Sequence, residues 1–284
     1  MSSSSARPDL FKQIAKSVRA VWQKTAFRPD VAIILGTGLG HLTKRVTKEI
    51  AISYESIPHF PRSTVVSHAG RLLFGMLGGK RVVVMDGRFH FYEGYTLEQV
   101  TFPIRVLRKL GAKILIISNA AGGLNLSYKK GDLVLIEDHI NLMGVNPLVG
   151  PNDDRLGLRF PDMSEPYSRR LMEFAEKAAQ EKHILLKRGV YMGVSGPNLE
   201  TRAEYRFMRK AGADLVGMST VPEVIAGLHA GFEILGISVV TDLCDPDHLK
   251  PANIEEIIRT ANQAGPKLDQ LVESVVQKLP HVRP

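Results

Sequence analysis

A chain of 284 residues, 44% hydrophobic and 23% charged, is long enough to bury a large core and too balanced for a disordered or membrane-embedded protein. A formal charge of +8 invites a nucleic-acid reading, but the 37 Lys and Arg are scattered without interleaved aromatics, which fits a basic soluble surface that attracts anionic substrate. The single cysteine, Cys244, rules out an internal disulfide, suits a reducing cytoplasm and, with no second ligand at metal spacing, reads as structural.

Residues 1–8 read as a flexible tail, and since no linker or composition shift divides the rest of the chain, residues 9–284 read as one domain. Leu10, Phe11, Ile14, Val18, Val21 and Trp22 recur at helical spacing, predicting a helix with a core-facing stripe. Strand signals at 31–35, 71–77, 81–85, 113–118, 132–137, 189–194, 214–217 and 233–241 alternate with helical patterns at about 98–110, 167–182, 201–211, 221–231 and 254–278. That alternation predicts an α/β fold, a single domain with a mixed central β-sheet flanked by helices. No run is apolar and long enough to span a bilayer, and no signal-peptide region is visible.

Three strand ends carry polar or glycine-rich segments, and open α/β sheets place ligands at that edge. Val31 to Leu35 runs into Gly36-Thr37-Gly38-Leu39-Gly40, which fits a phosphate cradle or a bare strand-to-helix turn about equally; it is no Walker A loop, and His41 stands where a dinucleotide fingerprint needs its third glycine. Arg81 to Met85 leads into Gly87-Arg88-Phe89-His90-Phe91-Tyr92-Glu93-Gly94-Tyr95, where a cation, an imidazole, phenols and a carboxylate gather to no benefit of a core. Its plain alternative is a solvated loop whose Arg and Glu pair. Ile114 to Ser118 breaks into Asn119-Ala120-Ala121-Gly122-Gly123-Leu124, a run of small residues that would let a ligand lie against backbone. Further on, Val194 to Thr201 sets Glu200 beside a Gly-Pro turn, and Gly217-Met218-Ser219-Thr220-Val221-Pro222-Glu223 ends another apolar strand.

Together with His68-Ala69-Gly70-Arg71 and Asp138-His139-Ile140-Asn141-Leu142, these segments resemble the trimeric, low-molecular-mass purine nucleoside phosphorylases from about Gly36 to the C-terminal helix. The resemblance implies reversible phosphorolysis of purine (deoxy)ribonucleosides to free base and (deoxy)ribose 1-phosphate. It implies a pentosyltransferase of purine salvage with inorganic phosphate as co-substrate and no cofactor or metal. Thr37, His68, Arg88, His90, the Ala120 N–H and Ser219 would hold phosphate. Tyr92 and Met218 would contact the ribose, together with Phe160 from a neighbouring subunit of a homotrimer. Ala120, Leu199, Glu200 and Asp242 would meet the base, and Ile254 would face the 5′ position. His90, Glu200 and Asp242 are the expected catalytic groups. His139, His183, His229, His248 and His281 receive no role.

Two departures bear on specificity. Asp242 stands where the family's 6-oxopurine enzymes carry asparagine; an ionised Asp only accepts, so it must be protonated to donate to N7 or else accept from a 6-amino group. Ile254 stands where relatives present a histidine to the 5′-hydroxyl. Both changes predict widened acceptance of 6-aminopurines, with 5′-methylthioadenosine phosphorolysis as the alternative. A non-catalytic basic module binding nucleosides or nucleic acid is the distant third reading.

Overall fold

The computed structural model describes residues 9–36, 40–62 and 69–280, so the expected tail at 1–8 and the expected phosphate contacts of Thr37 and His68 lie outside the described residues. Along the chain run α1 (Leu10–Trp22), β1 (Val31–Ile34), β2 (Thr47–Ser53), β3 (Arg71–Leu77), β4 (Lys80–Asp86), α2 (Leu97–Lys109), β5 (Ile114–Gly123) and β6 (Leu133–Asn141). Next come α3 (Arg169–Glu181), β7 (Leu186–Gly193), α4 (Arg202–Lys210), β8 (Leu215–Gly217), α5 (Val221–His229), β9 (Glu233–Leu243) and α6 (Ile254–Lys278).

The strands form one mixed sheet. β1 lies parallel between β4 and β5, with Val31 opposite both Val82 and Ile114, and β2 and β3 extend that edge antiparallel. β5 carries the architecture because it is long enough to pair twice. Its whole length runs parallel to β9, while its last residues, Gly122 and Gly123, also pair antiparallel with Val216 and Leu215 of β8. Since β9 pairs β6, β6 pairs β7 and β7 pairs β8, this half of the sheet closes on itself, and the mouth of the closure lies at the carboxyl end of β5.

Strand alternation sorts the core. Ala32 and Ile34 pack with Ile14, Val18 and Val21 of α1 and with residues of α2 and α5, whereas Val31 and Ile33 pack against α3 and α6. Every helix but α5 starts where a polar side chain holds a first N–H group: Asp9 Oδ1 accepts from Lys12 N at 3.1 Å, and Thr96 and Gln99 form a reciprocal cap at α2.

Each expected strand and helix is present, with three corrections. Trp22 does not face the core; it is exposed under the Arg28 guanidinium, 4.4 Å from the ring centroid, because the helix ends there and its buried stripe stops at Val21. β2 was not expected, because Thr-Lys-Glu-Ile-Ala-Ile-Ser carries its charges on a largely exposed edge strand and lacks an apolar run. The small residues after Ser118 are not a loop but a continuation of β5, and their size answers to close packing: a Cβ on Gly122 would stand 2.5 Å from Cys244 Sγ and 3.2 Å from Val216.

Candidate active site

A cavity opens at the mouth of that closure, lined by the ends of β1, β4, β5, β8 and β9 and by the first turns of α6. It brings together Arg88, His90, Tyr92, Ala120, Leu199, Glu200, Met218, Ser219, Asp242 and Ile254, every expected site residue among those described except Phe160. Phe160 is 84% exposed, outside the cavity of its own chain.

At one end sits a buried cation. Arg88 is 1% exposed; its Nε donates to Glu223 Oε1 at 2.9 Å, and its Nη1 donates to the Ser118 carbonyl and to Ser219 Oγ, each at 3.2 Å. A guanidinium keeps its charge when buried, and a carboxylate beside it offsets the desolvation, so the plane is both charged and fixed. Ser219 reaches it because Thr220 adopts φ +71°, a conformation uncommon for a β-branched residue, held by Asn119 Nδ2 donating to Thr220 Oγ1 at 2.9 Å. Val221 then begins α5, its N–H donating to the Ser219 carbonyl at 2.8 Å, which ties Ser219 to the start of that helix. Gly36, at the end of β1, admits no Cβ because Asn119 Cα would lie 2.7 Å away. Gly36 is thus pressed against β5.

His90 stacks on Tyr92 with ring centroids 4.7 Å apart, and its Nδ1 lies 2.9 Å from Glu93 Oε1. A carboxylate only accepts, so the ring proton sits on Nδ1 and Nε2 is the acceptor. Burial, reinforced by the Arg88 charge, holds the imidazole pKa below its usual value and keeps the ring neutral. His90 is therefore suited to accept from a hydroxyl of phosphate or sugar.

The other end pairs two carboxylates. Glu200 stands immediately before a capping box in which Thr201 Oγ1 accepts from Glu204 N at 3.2 Å and Glu204 Oε2 accepts from Thr201 N at 2.7 Å; that box fixes the entry to α4 and aims Glu200 into the cavity. Burial raises the Glu200 pKa, opposed by a hydrogen bond from the Tyr205 hydroxyl and supported by the charge of Asp242. Asp242 Oδ1 accepts from Thr241 Oγ1 at 2.9 Å and its Oδ2 from the Cys244 thiol at 3.5 Å. Burial pushes the thiol pKa well up, so Cys244 remains a donor, and Tyr205 packs in the same cluster beside it. Glu200, Tyr205, Cys244 and Asp242 thus line one corner of the cavity together. Tyr205 and Cys244 carry no motif in the sequence, where Cys244 reads as structural, and Glu223 closes the segment from Gly217 without any local sign of a role. Only the fold, which sets Cys244 after β9 beside Tyr205 of α4 and Glu223 of α5 beside Arg88 after β4, discloses them.

The apolar part of the lining is Val216, Met218, Leu199, Ile254, Ile257 and Ile258, which suits a flat, weakly polar ring. Leu199 and Ile254 are both substantially exposed. Among the described residues no group of three His, Cys, Asp or Glu side chains could hold a metal ion, and no helix is long and apolar enough to cross a membrane.

The Phosphorylase superfamily profile matches residues 30–277. The chain is 47% identical to purine nucleoside phosphorylase 1 of Geobacillus stearothermophilus over 94% of this chain and 97% of that protein. It is 47% identical to the Bos taurus purine nucleoside phosphorylase over 90% of this chain and 91% of that protein. The crystal structure of the Schistosoma mansoni purine nucleoside phosphorylase in complex with adenosine superposes with a TM-score of 0.90 at 43% identity, covering 95% of this chain and 98% of that one. The anion clamp, the paired carboxylates and these matches lead to one assignment: the chain belongs to the phosphorylase superfamily, among its purine nucleoside phosphorylases.

Proposed function

We propose that this protein catalyses reversible phosphorolysis of purine (deoxy)ribonucleosides, releasing free base and (deoxy)ribose 1-phosphate. The observation that carries the reading is the pairing of a fully buried, carboxylate-braced Arg88 at one end of a cavity with Glu200 and Asp242 at the other. Phosphate is held by Arg88, Ser219, the Ala120 N–H, Thr37 and His68, with His90 accepting its proton. Tyr92 and Met218 hold the ribose. A phosphate oxygen bonds to C1′ as the C1′–N9 bond breaks, and its electron pair passes into the purine. Charge fixed in advance at both ends of an oxocarbenium-like transition state supplies most of the rate.

Glu200 accepts from N1–H of a 6-oxopurine. Asp242, receiving donors from Thr241 and Cys244, is arranged as an acceptor and takes the N6–H of a 6-aminopurine; to serve a 6-oxopurine it carries the proton that N7 acquires. Adenine nucleosides are therefore substrates beside inosine and guanosine, in keeping with the adenosine bound by the Schistosoma mansoni relative. Ile254 in the lining favours 5′-methylthioadenosine phosphorolysis as a second reading.

We also propose a cytoplasmic homotrimer in which Phe160 completes the neighbour's ribose site. In support, Val149, Leu158 and Phe160 form an exposed apolar run on one segment. Phosphate-dependent base release from inosine, guanosine, adenosine and methylthioadenosine tests the activity. Release without phosphate, or binding to nucleic acid with no release from any of the four, would overturn it.

A further inference from the structure

A second, smaller cavity of about 180 Å³ lies between the last turn of α2 and the end of α5, and shares no lining residue with the candidate active site. Four of its six lining residues are cations: Arg105, Arg108, Lys109 and Arg155, with Leu156 and Ala230. Two carboxylates already answer Arg155, which donates to Asp153 Oδ2 at 2.6 Å and Asp9 Oδ1 at 3.1 Å. The other three form no ion pair among the described residues. Arg108 Nε donates to the Ala230 carbonyl at 3.1 Å with its guanidinium toward the Phe232 ring, and Lys109 Nζ lies 5.1 Å from the Phe11 ring centroid. The first is the bond that a cation makes to a helix-end carbonyl, and the second is a cation–π contact.

Arg105 is different. It is only 6% exposed, and the one hydrogen bond its five N–H groups make among the described residues is to His229 Nδ1 at 2.9 Å. That ring answers no charge, since burial and the guanidinium itself hold it neutral. Glu98 and Asp153 act on Arg105 only through space. A buried guanidinium is retained when an anion meets it with paired acceptors, and a fork of N–H groups beside a cavity this small matches a tetrahedral oxyanion.

We propose that this cavity binds such an oxyanion, either inorganic phosphate or the phosphate group of a phosphomonoester, at a site distinct from the catalytic one. Arg105 grips it, Arg108 and Lys109 close over it, and its binding ties α2 and α5 to the stretch at 153–156 that leads to Phe160.

Equilibrium dialysis of the assembled protein against radiolabelled phosphate tests the site. Two phosphates per chain are expected for the wild type. One is expected for Arg108→Ala/Lys109→Ala, whose substitutions lie on the helix surface and leave kcat for inosine unchanged. One phosphate per chain in the wild type, or two retained in the double variant, overturns the proposal. Glycerol 3-phosphate distinguishes the sources: displacement of the second label alone assigns the site to phosphomonoesters, and failure to displace it assigns free phosphate. A crystal soaked in tungstate provides a reading independent of any variant; metal density at Arg105 is expected, and density at Arg88 alone overturns the site.

Discussion

The two ends of the candidate active site are built on different principles. At the phosphate end the functional groups come from strand termini and the first turn of α5, Arg88 is buried, and two of its three partners, Glu223 and Ser118, are buried with it. At the base end Glu200 and Asp242 are half-buried, Leu199 and Ile254 are exposed, and order depends on a thread of hydroxyl and thiol donors. Clamping a dianion is common to every substrate and admits one solution, so it is rigid. Reading a base differs between substrates, so it rests on side chains that can change without disturbing the core.

The contrast breaks first at Arg88. Arg88→Gln removes the charge proposed to meet the phosphate and leaves Glu223 without its partner, so kcat/KM for phosphate is expected to fall on the order of a thousandfold, comparable to deleting a preorganised transition-state donor. Inosine affinity measured by calorimetry in the absence of phosphate should change little. An equal loss in both would show that the two ends are not separable.

The base end is altered without loss of chemistry by Asp242→Asn. An amide donates where the carboxylate accepts, and the mismatch is worth about 1–3 kcal/mol, so the adenosine-to-inosine ratio of kcat/KM should drop roughly ten- to hundredfold. Steady-state rates on both nucleosides decide it, and an unchanged ratio would remove Asp242 from base reading.

The same division governs what could be read from the sequence. Arg88, His90, Ser219 and the glycine at 36 come directly after apolar strands, so periodicity located them and strand polarity put them at one edge. β5 was legible as far as Ser118 and misread beyond it, because a strand of Ala and Gly that packs against Cys244 and Val216 looks like a turn until its partners are known. Glu223 was hidden for another reason: it is a helix residue whose partner lies 135 positions away in the chain. Tyr205 and Cys244 belong to the same class, since nothing local marks a tyrosine on α4 as a neighbour of a cysteine after β9.

That thread supplies a finer test. Cys244→Val keeps the bulk behind Gly122 while deleting the thiol that donates to Asp242 Oδ2, so Asp242 loses one of its two internal donors. With a net hydrogen bond worth about 1 kcal/mol, the adenosine-to-inosine ratio should shift roughly fivefold, while kcat/KM for phosphate and the melting temperature stay close to wild type. Cys244→Ser, which restores a donor, should recover most of the shift. A loss of activity on both nucleosides alike in the valine variant would mean that Cys244 only packs.

The smallest effect is one of pH, and its sign comes from Glu200. Burial raises the folded pKa of Glu200 from its ordinary value, so protonation on acidification begins at a higher pH than for an exposed glutamate. In the proposed function ionised Glu200 accepts the N1–H of inosine, and that interaction is complete above the raised pKa and lost as pH falls through it. Adenosine has no N1–H but offers N1 as an acceptor, to which a protonated Glu200 donates. At saturating phosphate, lowering pH from neutral should therefore raise KM for inosine and leave KM for adenosine flat or lower. His90 is already neutral and does not change state in that direction until its depressed pKa is reached, so the divergence belongs to the base end. Glu200→Gln should abolish it; parallel profiles for the two nucleosides in the wild type would instead assign the titration to a group that both substrates share.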